Sequence, residues 1–104
     1  MADAITIHEL KAMLAGENPP TLLDVRRKSD YAAAPEMIET ARWCDPETVD
    51  AWETSLPVDQ PVVVYCVKGG AVSQVVADRL AGRKDDVRFL VGGILAWNAE
   101  RNRP

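Results

Sequence analysis

The feature that most constrains the fold is a change from strand to helix within residues 62–80. Residues 62–66 read Val-Val-Val-Tyr-Cys, and an apolar run so rich in β-branched residues predicts a buried strand. Glycines at 69–70 then turn the chain, and apolar residues recur beyond them at helical spacing. Those apolar residues are Val72, Val75, Val76 and Leu80. Because α/β folds bind ligands beyond the carboxyl ends of their strands, Cys66 stands where such a fold places a site.

The rest of the chain repeats the alternation of strand and helix. Residues 6–9 read Thr-Ile-His-Glu, a capping box that predicts the start of a first helix, which Gly16 ends. Asp45 followed by Pro46 predicts another helix start. We therefore predict an α/β fold with a central, mostly parallel sheet of about five strands and helices on both faces. Residues 1–104 are expected to form one domain.

The composition and net charge limit the classes of function that this chain can have. Of the 104 residues, 47% are apolar and 27% charged, and the formal net charge of −4 does not indicate nucleic acid or a membrane as a partner. The first twenty residues contain no apolar signal-peptide core, so we expect a cytoplasmic protein. Cys44 and Cys66 are too few for a disulfide framework. With His8 as the only histidine and no Cys-x-x-Cys pair, we expect no metal and no cofactor.

Cys66 has two interpretations. A cysteine that ends a hydrophobic strand is often a small buried apolar residue. The alternative is a nucleophile, because successive loop N–H groups and the start of the next helix favour a thiolate over a thiol. Two features favour the nucleophile: Gly69 and Gly70 let the backbone approach a bound group closely, and Lys68 adds a cation to the loop.

A second buried strand is predicted at residues 21–26, which read Thr-Leu-Leu-Asp-Val-Arg. Its carboxyl end reaches the same edge of the sheet as Cys66, so Arg26 is a candidate anion contact. The alternative is a surface arginine paired with a carboxylate. Asp24 is predicted to accept a hydrogen bond from nearby backbone.

Three segments of the chain match motifs of one family. Residues 22–26 read Leu-Leu-Asp-Val-Arg, Cys66 and Gly69 form a Cys-x-x-Gly loop, and residues 90–97 read Leu-Val-Gly-Gly-Ile-Leu-Ala-Trp. In this order and spacing they resemble a single-domain rhodanese, of the sulfurtransferase family, over nearly the whole chain.

The resemblance implies a reaction through a cysteine persulfide. A small-molecule donor such as thiosulfate passes its outer sulfur to Cys66, and the persulfide hands that sulfur to an acceptor: cyanide, a thiol or a protein. The loop N–H groups would hold the persulfide sulfur, and Lys68 and Arg26 would help to bind an anionic donor. The loop residues concerned are Val67, Lys68, Gly69, Gly70, Ala71 and Val72.

The chain departs from the family pattern in two places. Many small rhodaneses carry arginine five positions after the cysteine, where this chain has Ala71. The family segment Gly-His-Ile-Pro-Gly-Ala is replaced by a different sequence at residues 35–41. Residues 66–74 instead fit a subgroup that reads Cys-Val-x-Gly-x-x-Val-Ser-Gln.

Two competing functions and one further thiol are left open. Cysteine phosphatases of related fold need an arginine six positions after the cysteine to hold phosphate, and Val72 stands there. A noncatalytic rhodanese module would bind or regulate a partner, although such modules commonly lack the cysteine. Cys44 is expected to be a buried structural residue; the alternative is a resolving thiol that accepts the sulfur of Cys66.

Overall fold

The computed structural model describes residues 2–57, 59–83 and 86–101, so residue 1 and residues 102–104 of the predicted domain lie outside the described residues. The strands are β1 (Asp3–Ile5), β2 (Thr21–Asp24), β3 (Arg42–Trp43), β4 (Val62–Tyr65) and β5 (Val87–Leu90). The α-helices are α1 (Ile7–Ala15), α2 (Lys28–Ala33), α3 (Val49–Trp52), α4 (Ala71–Ala81) and α5 (Gly93–Arg101). In the described part of the chain, no helix has the length and apolar character needed to cross a membrane.

The five strands form one sheet in the order β1-β5-β4-β2-β3, and each pairing is parallel. Alternate side chains of a strand point to opposite faces, and all four residues of β4 are buried. On one face Val62 and Val64 belong to a cluster with residues of α3 and α4. On the other face Val63 and Tyr65 pack with residues of α1 and α5. The predicted α/β fold with helices on both faces is confirmed.

The start of α1 is built as its sequence predicts. Glu9 N–H donates to Thr6 Oγ1 at 3.2 Å, and Thr6 N–H donates to the Glu9 carboxylate at 2.9 Å. These hydrogen bonds hold the pKa of Glu9 below its usual value. His8, in the same turn, is exposed.

The helix predicted after Asp45 is not continuous. Asp45 does cap the segment, since Glu47 N–H donates to its carboxylate at 2.9 Å. The chain then forms a 3-10 turn, the four-residue α3 and a second 3-10 turn. Thr48 interrupts the helix with φ −126° and ψ 40°. Val49 and Leu56 are nevertheless buried, so short turns bury the same apolar residues that one helix would.

The buried side of α4 leaves out one of the apolar residues that recur at helical spacing. Val75 is 66% exposed, whereas Ser73, Val76 and Leu80 are buried. At 3.6 residues per turn, a stripe through these three residues and Ala77 leaves Val75 facing outward. Val75 therefore lies off the buried face, although it is one of the apolar residues that recur at helical spacing in the sequence.

Candidate active site

Cys66 directly follows β4 at the carboxyl edge of the sheet. Its side chain is 5% exposed, yet it belongs to neither hydrophobic cluster of the described residues. It lines an open cavity of about 370 Å³ formed by the loop and by the start of α2. Cys66 is thus sheltered but borders a cavity that a small molecule can enter.

Hydrogen bonds from α5 fix the orientation of the loop peptides. Ile94 N–H donates to Cys66 O at 3.0 Å, and Leu95 N–H donates to Val67 O at 3.1 Å. Both loop peptides are trans. Because C=O and N–H point in opposite directions across a trans peptide, the N–H groups of Val67 and Lys68 point away from α5. Among the described residues, no backbone carbonyl accepts a hydrogen bond from the N–H groups of residues 67–70.

The start of α4 adds further free donors beside the thiol. Its N-cap is Gly70, which has no side chain to satisfy the first N–H groups of the helix. These groups carry the partial positive charge of the helix start. Together with the loop N–H groups, they make the surroundings of Cys66 suitable for an anionic sulfur.

Glycines let the loop and α5 approach each other closely. Gly69 has φ +72°, and a Cβ there would lie 2.6 Å from Leu90 O and 2.7 Å from Gly92 N. Gly93 has φ +59°, and a Cβ there would come within 3.0 Å of Cys66 O and Val67 O. Gly93 therefore makes room for the Cys66 loop. The sequence analysis did not predict that α5 packs closely against the Cys66 loop, although Gly92 and Gly93 are the sequence feature that indicates it.

Gly93→Ala is expected to destabilise the protein by about 2 kcal/mol or more, because alanine is strained at this positive φ and its Cβ collides with two loop carbonyls. Gly70→Ala is the matched control, since Gly70 has φ −88° and open space where a Cβ would stand. Urea unfolding of both variants measures the difference. Equal unfolding midpoints would show that the loop and α5 are not in close contact.

Ser73 touches the sulfur of Cys66. Cys66 Sγ lies 3.2 Å from Ser73 Oγ, and the serine side chain is fully buried. Ser73 Oγ is also 3.4 Å from Gly70 O. Ser73 entered the sequence analysis only as part of the subgroup motif, because position alone does not show that the first turn of α4 directs it at the thiol.

Arg26 lines the cavity but is not a free cation there, and its role as an anion contact stays a prediction. Its side chain is 3% exposed and pairs with the buried Asp24 through Nη2 to Oδ2 at 2.7 Å and Nε to Oδ1 at 3.0 Å. The remaining donors reach Ala34 O at 2.8 Å and Glu36 O at 3.0 Å. Arg26 is paired with a carboxylate, as the alternative held, but the pair is buried rather than on the surface. Asp24 accepts Arg26 N–H at 3.0 Å, as predicted.

The segment before β3, where the sequence departs from the family pattern, is tied to the sheet by side chains. Arg26 holds two of its carbonyls, and Ile38 N–H donates to Tyr65 Oη at 3.1 Å. Burial, followed by the nearby Asp24 carboxylate, raises the pKa of Tyr65 far above its usual value. The phenol is therefore neutral and serves as an acceptor for backbone.

Exposed cations are among the residues that line the cavity. Lys68 is exposed and lines the cavity, and so does the exposed Arg27, which the sequence analysis missed. The exposed Asp30 lines the same cavity. The predicted loop residues that line the cavity are Cys66, Val67, Lys68, Gly70, Ala71 and Val72. Gly69 does not line it and instead makes the contact with the start of α5.

Cys44 lies in different surroundings from Cys66. It is 6% exposed and packs in the hydrophobic cluster with residues of α3 and α4. Burial raises the pKa of the Cys44 thiol above its usual value, with Arg42 acting weakly in the opposite direction. A protonated thiol in an apolar cluster fits the structural role expected for Cys44.

Comparison with known proteins identifies the family. Residues 6–100 match the rhodanese-like domain. The chain belongs to the rhodanese-like domain family. This family includes thiosulfate sulfurtransferases. No curated protein matches the chain.

Solved structures agree with this assignment of the rhodanese-like domain. A rhodanese-like domain from Anabaena is 32% identical, with TM-score 0.77 over 96% of this chain and 76% of that one. A rhodanese-like domain protein from Staphylococcus aureus is 26% identical, with TM-score 0.78 over 91% and 90%. A thiosulfate sulfurtransferase from Pseudomonas aeruginosa is 24% identical, with TM-score 0.79 over 97% of this chain but 19% of that one. This last likeness concerns the fold alone.

Proposed function

We propose that this rhodanese-like domain is a sulfurtransferase that carries sulfane sulfur as a persulfide on Cys66. The observation that supports the proposal most is the orientation of the loop peptides. Two loop carbonyls are bonded to α5, which leaves the opposed N–H groups free beside a thiol that lines a cavity. Such an arrangement stabilises negative charge on sulfur without a metal ligand or a neighbouring histidine.

The reaction has two half-reactions. In the first, the Cys66 thiolate attacks the outer sulfur of thiosulfate, the S–S bond of the donor breaks, and sulfite leaves with the electron pair. In the second, the carbon of cyanide or the sulfur of a thiolate attacks the outer sulfur of the persulfide, and the electron pair returns to Cys66 Sγ. The intermediate is covalent, so the kinetics are expected to be ping-pong.

Two exposed cations among the residues that line the cavity support an anionic donor. Lys68 and Arg27 are exposed, and among the described residues neither forms an ion pair. Both can therefore attract thiosulfate or an organic persulfide toward the thiol. Ala71 and Val72 supply no charge, so recognition in this chain falls to these two exposed cations and to the loop N–H groups.

The test is intact-mass measurement of the protein after incubation with thiosulfate. We expect a gain of one sulfur atom that cyanide later removes as thiocyanate, and peptide mapping should place the added sulfur on the peptide that contains Cys66. Polysulfide and an organic persulfide serve as further donors. If no donor adds sulfur to the folded protein, the proposal is wrong and the domain acts as a noncatalytic module.

A further inference from the structure

We propose that Ser73 is a further catalytic residue of this sulfur transfer, whose hydroxyl donates a hydrogen bond to Cys66 Sγ whenever that sulfur carries negative charge. The inference rests on the proposed function and concerns the same site. Its basis is the distance of 3.2 Å between Cys66 Sγ and Ser73 Oγ. Ser73 is fully buried, so its hydroxyl is shielded from water.

Ser73 is the one buried hydrogen-bond donor among the described side chains of residues 67–73. Lys68, the other side chain there that can donate, is exposed. Ala71 and Val72 have no donor, and the arginine common in this loop is missing. Within this segment, Ser73 at the first turn of α4 is therefore the side chain placed to donate to the inner sulfur.

The hydrogen bonds around Ser73 allow it to serve both protonation states of the thiol. When Cys66 is protonated, its S–H donates to Ser73 Oγ and the hydroxyl donates to Gly70 O at 3.4 Å. When Cys66 loses its proton, the hydroxyl must turn toward Sγ, because the thiolate is an acceptor only. Gly70 O then keeps the hydrogen bond that Gln74 N–H donates to it at 3.2 Å. This rotation of the Ser73 hydroxyl therefore leaves no buried acceptor without a hydrogen-bond partner.

Both half-reactions require charge on Cys66 Sγ. The thiolate is the nucleophile of the first, and in the second the breaking S–S bond returns an electron pair to the same atom. In the first half-reaction, a donor directed at Sγ stabilises the charged form of the thiol, which is the form that attacks the sulfur donor. In the second half-reaction it stabilises the leaving group as its charge develops.

The test compares Ser73→Thr with Ser73→Val, two side chains of nearly the same shape of which only threonine keeps the hydroxyl. Any overpacking that the larger side chain causes at this buried position is the same in both variants. The readout is the rate of Cys66 alkylation by iodoacetamide as a function of pH, followed by peptide mass, together with the rates of both half-reactions. The charged residues lining the cavity, Arg26, Arg27, Asp30 and Lys68, are unchanged in both variants.

We expect Ser73→Thr to behave like the original protein and Ser73→Val to differ. In the valine variant the alkylation profile should move to higher pH by about one unit, and cyanide should remove the persulfide sulfur about tenfold more slowly, as expected for loss of a hydrogen bond to a charged group. Ser73→Ala should show the same loss, while Ser29→Ala, an exposed serine in the first turn of α2, should show none.

Identical alkylation profiles and transfer rates for the threonine and valine variants would overturn the inference, and Ser73 would then only support the start of α4. If both variants fail to fold, the comparison of Ser73→Ala with Ser29→Ala decides. The alkylation profile does not depend on sulfur transfer. Failure of the proposed function, in which the original protein takes up no sulfur, is therefore distinguishable from failure of the Ser73 contact.

Discussion

Cys66→Ser is expected to abolish sulfur transfer while the protein keeps its fold. A serine hydroxyl cannot form the persulfide, and removing a covalent nucleophile should lower the rate of thiocyanate formation by about a thousandfold or more. The replacement is nearly isosteric, and Ser73 Oγ at 3.2 Å from the original sulfur remains available as a hydrogen-bond partner. Intact-mass and thiocyanate assays measure the loss, and thermal unfolding checks the fold.

Cys44→Ala is the matched control for this prediction. Cys44 packs in the hydrophobic cluster rather than in the cavity beside the loop, so the variant should still take up one sulfur atom on Cys66 and release it to cyanide. Loss of transfer in a folded Cys44→Ala protein, or sulfur uptake by Cys66→Ser, would contradict Cys66 as the sole carrier. Non-reducing peptide mapping after oxidation would then show whether Cys44 and Cys66 can form a disulfide.

The central part of the fold could be predicted because local sequence and tertiary packing agree there. Residues 62–65 are apolar throughout, and the structure buries all of them between two layers of helices. The capping box at Thr6 is equally local, because its two hydrogen bonds join residues three positions apart. The segment after Asp45 could not be predicted in detail, since an apolar spacing compatible with one helix is also satisfied by short turns.

The position of the site could be predicted from the sequence, but the contacts among its residues could not. Cys66 ends an apolar run that predicts a strand, so its place at a strand end could be predicted from the sequence. The partner of Arg26, by contrast, is decided by which way a long side chain turns, and it turns inward to Asp24. The support that Ile94 and Leu95 give to the loop depends on contacts between segments about thirty residues apart, and no local pattern encodes them.

The inward turn of Arg26 makes the carboxyl edge of the sheet depend on a buried ion pair. The guanidinium binds Asp24 and, through its other donors, two carbonyls of the segment before β3. That segment and the Cys66 loop both line a second cavity, since Glu36 and Val67 are among its lining residues. By holding the segment before β3, the buried pair therefore fixes part of the wall of this second cavity.

Asp24→Asn is expected to destabilise the protein by about 3–5 kcal/mol, because it leaves the Arg26 charge buried without a counterion. Asp86→Asn is the control, since the Asp86–Arg88 pair has a similar geometry, with Nε to Oδ1 at 3.1 Å, but both side chains are at least a third exposed. That change should cost no more than about 1 kcal/mol. Urea unfolding measures both free energies, and equal losses would mean that water reaches the guanidinium of Arg26. Arg26 would then be available to an anion after all.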